Sequence, residues 1–299
     1  MRNKSGTLQS SDVADSDIAA ALLDIESIGN NRFLNNYNQD NQLGVLFGGQ
    51  LLAQGIAAAR QTVDNREIHN CNALFPFAGT SRQPIEYLVE IVRDGKRFSN
   101  RRITGRQGDR ILLDMLCSFQ ERQQGLEHQL DDAPRVAAPE SILTEIEFFR
   151  THAEQLPGKT VEAFTLPFPV EICTLDAEKL YLEESRQLQR SYWFRLPSAD
   201  SLTSEAQHNA ILAFLADYRL GGVALAPHIS PLAIDRFKIA TLNHSMWFHF
   251  PARTDEWLLY TTDSPWAGSG RGLAKGSIYN REGRLVVSAV QELMVGIRE

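Results

Sequence analysis

The chain has 299 residues, enough for two domains at the usual ~150 residues each. Hydrophobic residues make up 43% of it and charged residues 22%, the balance of a packed globular protein, which excludes disorder, collagen and coiled coil. Thirty Lys and Arg against 37 Asp and Glu give a net charge of -7, and with no basic block to track a phosphate backbone, no nucleic-acid partner is expected.

The three cysteines, Cys71, Cys117 and Cys173, are odd in number and too widely spaced for a disulfide framework or a Cys-x-x-Cys metal site, which points to a reducing compartment. No apolar run approaches the ~20 residues that span a bilayer, and the first twenty residues hold no apolar signal core. A cytoplasmic protein without membrane contact is expected. Residues 1–18, rich in Ser, Asp and Asn, are expected to stay disordered.

From Leu46 to Val63 the spacing of Leu52, Ile56, Ala59 and Val63 predicts a helix, and Gly49, Ala53, Gly55 and Ala57 keep its other faces small. Such a helix is buried with another backbone close against it. Pro84 to Arg93 alternates as a strand, Asp94-Gly95 turns the chain, Arg97 to Gln107 is a second strand, and Gly108-Asp109 turns into a third, Arg110 to Glu121. Its residues Ile111, Leu113, Met115, Cys117 and Phe119 share one face.

The same order recurs later. Ser201 to Leu220 is again helical, with His208, Ile211, Leu215 and Tyr218 on one face, and strands follow over Glu256 to Asp263, Gly270 to Tyr279 and Arg284 to Met294. A long helix wrapped by antiparallel sheet, duplicated in one chain, predicts an α+β double hotdog. The expected layout is one hotdog over 19–130, a proline-containing linker over 131–166 and a second hotdog over 167–299.

Seven segments in order, LFGGQLLAQ (46–54), RDGKRFSNRRI (93–103), SFQ with GLEHQ (118–129), LADY (215–218), HSMWFH (244–249), DEWLLY (255–260) and GRGLAKGSIY (270–279), resemble those of the acyl-CoA thioesterase II family. The resemblance implies hydrolysis of an acyl-CoA to the free acid and CoA with no metal or organic cofactor. It also implies a water-activating set of an Asp at the end of the second helix, a Thr before His-Ser-Met-Trp and a Gln on the late strand. These positions hold Asp217, Thr241 and Gln291. An Asp general base suits a thioester, whose carbonyl is electrophilic enough for direct attack by a held water, and a hydroxyl and an amide orient that water without adding charge. Read without the resemblance, each is bland: a surface Asp, a strand Thr, a satisfied buried Gln.

Backbone N–H groups around Gly48, Gly49 and Gln50, at the electropositive start of the first helix, are the expected oxyanion donors, with tight packing as an equal reading. Arg101, Arg102 and Arg271 are candidates for the CoA phosphates, or solubilising strand arginines. Phe75, Phe77, Trp247, Phe248 or Trp266 would line an acyl tunnel, or simply fill the core. His69, His244 and His249 lack ligand spacing and read as structural or as supports for the site residues without touching substrate.

Two departures stand out. Asn243 occupies a position where the family usually has Asp, and Phe75-Pro76-Phe77-Ala78-Gly79 and Phe250-Pro251 replace stretches that carry Arg. They keep open a pathway-specific thioesterase that releases one biosynthetic acyl product. A hydratase of this fold needs an Asp-x-Asn-x-x-His run, which is missing. A non-catalytic acyl-CoA-binding protein would not need the water-activating set that this chain retains. Exposed sheet edges predict a homo-oligomer, dimer or tetramer.

Overall fold

The computed structural model describes residues 7–9, 12–39, 45–130, 133–166, 168–228, 230, 232 and 237–297. The first half runs β1 (Leu8–Gln9), α1 (Ile18–Leu22), β2 (Ile25–Gly29), β3 (Arg32–Asn35), β4 (Tyr37–Asn38), α2 (Gly48–Arg60), β5 (Glu67–Leu74), β6 (Glu86–Asp94), β7 (Phe98–Gln107) and β8 (Arg110–Gln120). The second adds α3 (Glu145–Thr151), α4 (Gly158–Thr165), β9 (Glu171–Thr174), β10 (Gln189–Arg195), α5 (Glu205–Asp217), β11 (Phe237–Phe248), β12 (Leu258–Gly268), β13 (Arg271–Tyr279) and β14 (Leu285–Ile297).

Twelve strands make one sheet in the order β2-β3-β6-β7-β8-β5-β11-β14-β13-β12-β10-β9. The seam between the halves is the antiparallel pair β5 and β11, where Met246 lies opposite Cys71. Helices α2 and α5 pack against each other and against this sheet, which makes the fold a double hotdog. Among the described residues no helix is long and apolar enough to cross a membrane.

Small residues set how closely the two helices approach. A methyl group added to Gly49 would stand 2.6 Å from the Phe214 carbonyl oxygen, and one added to Gly55 would stand 2.6 Å from the Met115 methyl. Phe47 locks the contact edge-on against Phe214 at 5.3 Å between ring centroids. The strand alternation holds where no bulge intervenes: Leu113, Met115, Cys117 and Phe119 are buried, as are Tyr87 and Val89, while Ile111, expected on the same face, and Ile91 each lie beside a register shift and are turned outward.

Two expectations need correction. Part of the N-terminal stretch is ordered, because Leu8 donates its N–H to Asn36 O at 2.8 Å and Ile18 is buried; residues 1–6, 10 and 11 lie outside the described residues. The stretch 131–166 is more than a linker. Pro139 opens a 3-10 turn and Pro157 caps α4, so these prolines start helical segments rather than break them. Thr144 and Glu147 form a capping box on α3, and Phe148 and Phe149 bury themselves with Tyr181.

At the other end of the helix pair, His208 in the first turn of α5 shares a 3.0 Å hydrogen bond between Nδ1 and Thr254 Oγ1, and burial pushes its pKa below the ordinary value. The fold therefore favours the neutral ring. The stability tied to His208 is fully present above the unfolded value of about 6.5 and is lost as the pH falls through and below it. His208→Gln should flatten the acid limb of the urea midpoint between pH 7 and 5. Gly49→Ala should lower the unfolding free energy by about 1–3 kcal/mol, read from the same urea titration, because the helices must separate.

Candidate active site

Asp217 is the last residue of α5, and Gln291 reaches it from the middle of β14. Thr241 comes from β11 at a register shift, where Thr241 pairs with Leu293 but Asn243 already pairs with Glu292. That extra residue re-aims the hydroxyl. Gln291 Nε2 donates to Asp217 Oδ1 at 2.5 Å and to Thr241 Oγ1 at 2.9 Å, so the three predicted residues meet. Both amide hydrogens are used, while Gln291 Oε1 is buried without a partner.

His244 Nδ1 lies 3.4 Å from the same Oδ1 and is fully buried, behind the carboxylate, which is one of the two places its sequence reading allows. Its place in the alternation, inward with Met246 and two residues before it, was the available signal. The Tyr260 hydroxyl donates to Ala216 O at 2.8 Å, and burial first, then the Asp217 charge, raises its pKa well above the ordinary value. Because the Gln291 bond and the His244 contact both fall on Oδ1, Oδ2 is turned toward α2, and a methyl group on Gly48 would stand 2.8 Å from it.

The carboxylate opens on a cavity of about 530 Å³ walled by Phe47, Gly48, Leu51, Phe75, Phe77, Phe164, Tyr181, Arg190, Tyr218, Arg219, Thr241 and Gln291, among others. Phe75 and Phe77 therefore stand on this wall. Trp247, Phe248 and Trp266 are not on this wall: Trp247 points outward at 39% exposure, Phe248 packs on the core, and Trp266 stacks under the Arg271 guanidinium. Of the expected oxyanion donors, only Gly48 borders the cavity. Gly49 is spent on the helix contact, and the Gln50 N–H is already given to Phe47 O at 3.1 Å. The Gln50 side chain is buried, accepting from Gln39 N at 2.7 Å and donating to Asn38 Oδ1 at 2.7 Å.

The arginine candidates fare differently. Arg101 is 2% exposed, donates to Thr62 Oγ1 and Thr62 O at 2.8 Å each and pairs with Asp94; burial closes it to a CoA phosphate. Arg102 and Arg271 are half exposed but paired with Asp114 and Glu292, and neither borders the cavity. Asn243 bonds Glu292, which Arg271 also holds, so this departure acts beside the site rather than in it. The two phenylalanines in arginine-bearing stretches each carry a cation from elsewhere, Arg110 over Phe77 and Arg284 over Phe250.

Gly48→Ala should lower the turnover number at least tenfold, because displacing the carboxylate even about 1 Å spoils the reacting geometry. Steady-state kinetics and a melting curve separate that from unfolding. Arg101→Leu should cost roughly 2–4 kcal/mol of stability and leave KM for CoA esters at the wild-type value; a raised KM would return Arg101 to the binding site.

Residues 38–120 match the family model described as the acyl-CoA thioesterase N-terminal domain, and residues 144–295 match that of its C-terminal domain. Acyl-CoA thioesterase 2 of Haemophilus influenzae is 32% identical over 93% of this chain and 96% of its own length. Acyl-coenzyme A thioesterase 8 of the mouse is 32% identical over 85% of this chain and 81% of its own length. The crystal structure of an acyl-CoA thioesterase II from Mycobacterium marinum superposes with a TM-score of 0.74 at 30% identity, covering 94% of this chain and 99% of that one.

Proposed function

The chain belongs to the acyl-CoA thioesterase family, and we propose that it cleaves acyl-CoA with a water activated by Asp217 between Thr241 and Gln291. The products are the free acid and CoA. The observation that carries the assignment of the base is the hydrogen-bonded trio of Asp217, Gln291 and Thr241 on the wall of one apolar cavity.

With Oδ1 held by Gln291, Oδ2 is the oxygen free to take a proton from the water as it attacks the thioester carbonyl carbon. Thr241 accepts one amide hydrogen and keeps its own hydroxyl proton to donate, and Gln291 Oε1 is an open acceptor. Together they fix the direction of attack. The carbonyl oxygen becomes an oxyanion facing the first turn of α2, where the Gly48 N–H and the helix dipole favour negative charge. Collapse of the tetrahedral intermediate breaks the carbon–sulfur bond, and the proton held on Asp217 passes to the CoA thiolate.

We also propose a cytoplasmic homo-oligomer, dimer or tetramer. The three buried free thiols support the compartment, and exposed Ile91, Val92, Leu116 and Trp247 on the sheet support the association.

The test is CoA release from short, medium, long, branched and aromatic acyl-CoAs by wild type and Asp217→Asn. Turnover should fall about 10²–10⁴-fold in the variant, with acyl-CoA binding retained in calorimetry. Wild-type turnover in the variant would remove Asp217 as the base.

A further inference from the structure

The far wall of the cavity holds two guanidinium groups, and their surroundings differ. Arg219, two residues after Asp217, has its backbone at φ 64° and directs Nη2 to Glu145 Oε2 at 2.5 Å. Glu145 also accepts from Tyr181 Oη at 2.7 Å and from Thr174 Oγ1 at 2.6 Å, so its charge is committed. The Arg219 guanidinium also lies over the Phe164 and Tyr218 rings, which fixes it in place.

Arg190, on β10, borders the same cavity beside Tyr181 and Arg219. Among the described residues no carboxylate pairs with it, which is what separates it from Arg219; the Nε of each is buried without a hydrogen-bond partner. Burial above all pushes its pKa below the ordinary value, yet a guanidinium keeps its proton. An unpaired cation held against an apolar cavity is a cost to the fold that an anionic ligand would offset.

Position selects the kind of anion. A methyl group on Gly221 would lie 3.1 Å from Gln291 Oε1, and one on Gly222 would lie 3.9 Å from Arg190 Nη1. Consecutive Cα atoms are ~3.8 Å apart, so the amide that orients the water and the cation are within about 14 Å of each other. The pantetheine arm of CoA puts about thirteen bonds between sulfur and the first phosphorus, at most about 16 Å when extended. A phosphate would meet the cation only with that polar arm folded along the apolar wall, whereas an acyl chain of up to about ten bonds spans the distance with its methylenes on that wall.

We propose, on the thioesterase reading of this site, that Arg190, backed by Arg219, anchors a carboxylate at the far end of the acyl chain, so that the enzyme selects CoA esters of dicarboxylic acids of short to medium length. The guanidinium offers parallel N–H donors to both carboxylate oxygens, and the aromatic wall covers the methylenes between the two ends.

The test compares suberyl-CoA with octanoyl-CoA, equal in carbon count and different only at the far end. Wild type should favour suberyl-CoA at least tenfold in kcat/KM, Arg190→Gln should lose that preference, and Arg190→Lys should recover part of it. Calorimetric binding of both esters to Asp217→Asn, with and without Arg190→Gln, reads the anchor independently of turnover. An equal loss of affinity for both esters and for free CoA would assign the cation to the CoA phosphates, and an unchanged ratio would remove Arg190 from recognition; either overturns the proposal. Failure to hydrolyse any ester while suberyl-CoA still binds through Arg190 would instead refute the thioesterase reading and leave the anchor standing.

Discussion

The close approach of α2 and α5 is the constraint on which the rest of the molecule depends. Two antiparallel helices that touch through Gly49 and the Phe214 carbonyl must bring the start of one beside the end of the other. Gly48 therefore faces the Asp217 carboxylate. The contact sets the positive end of α2, at Gly48, beside the carboxylate that the proposed mechanism uses as its base. The sheet closes the arrangement by bringing Gln291 and Thr241 from β14 and β11, two strands held in register by their own ladder.

Much of this fold is legible in the sequence because burial dictates pattern. A helix as small-sided as Gly48–Arg60 has few environments open to it, and strands such as Arg110–Gln120 alternate cleanly wherever one face is core. What the pattern hides is equally physical. β5 carries Asn70 and Asn72 on its outer face and pairs with β11 across the seam, so its strand character comes from the partner as much as from its own residues. The region after Asp131 reads as linker because Pro139 and Pro157, which read as breakers, sit at helix starts and its apolar residues come in short clusters.

The site divides along the same line. Asp217, Thr241 and Gln291 are visible through the family's motifs, since their individual settings are unremarkable until α5, β11 and β14 meet. Trp247 was misplaced by chemistry taken without parity: His244 and Met246 point inward, so the residue after Met246 must point outward. Arg190, Arg219, Tyr181 and Glu145 left no sequence signal, because they converge from β10, from the turn after α5 and from segments with no counterpart in the helix-and-strand repeat.

The duplication should give two helix junctions of the kind that holds Asp217, and the chain has made them chemically opposite. At the second, the start of α5 meets the end of α2, where the last helical residue is Arg60 rather than an acid. A cation suits that C-terminal end, and Arg122 pairs with Glu205 across the gap. Glu67, nearby, has its carboxyl pKa raised by burial and by the Glu205 charge. One junction keeps an acid, an amide and a hydroxyl around a cavity, while the other ties its charges to each other. Divergence of the two halves has thus followed electrostatics: the same backbone meeting borders a cavity where its charge is left open, as the proposed catalysis needs, and serves cohesion where its charges pair.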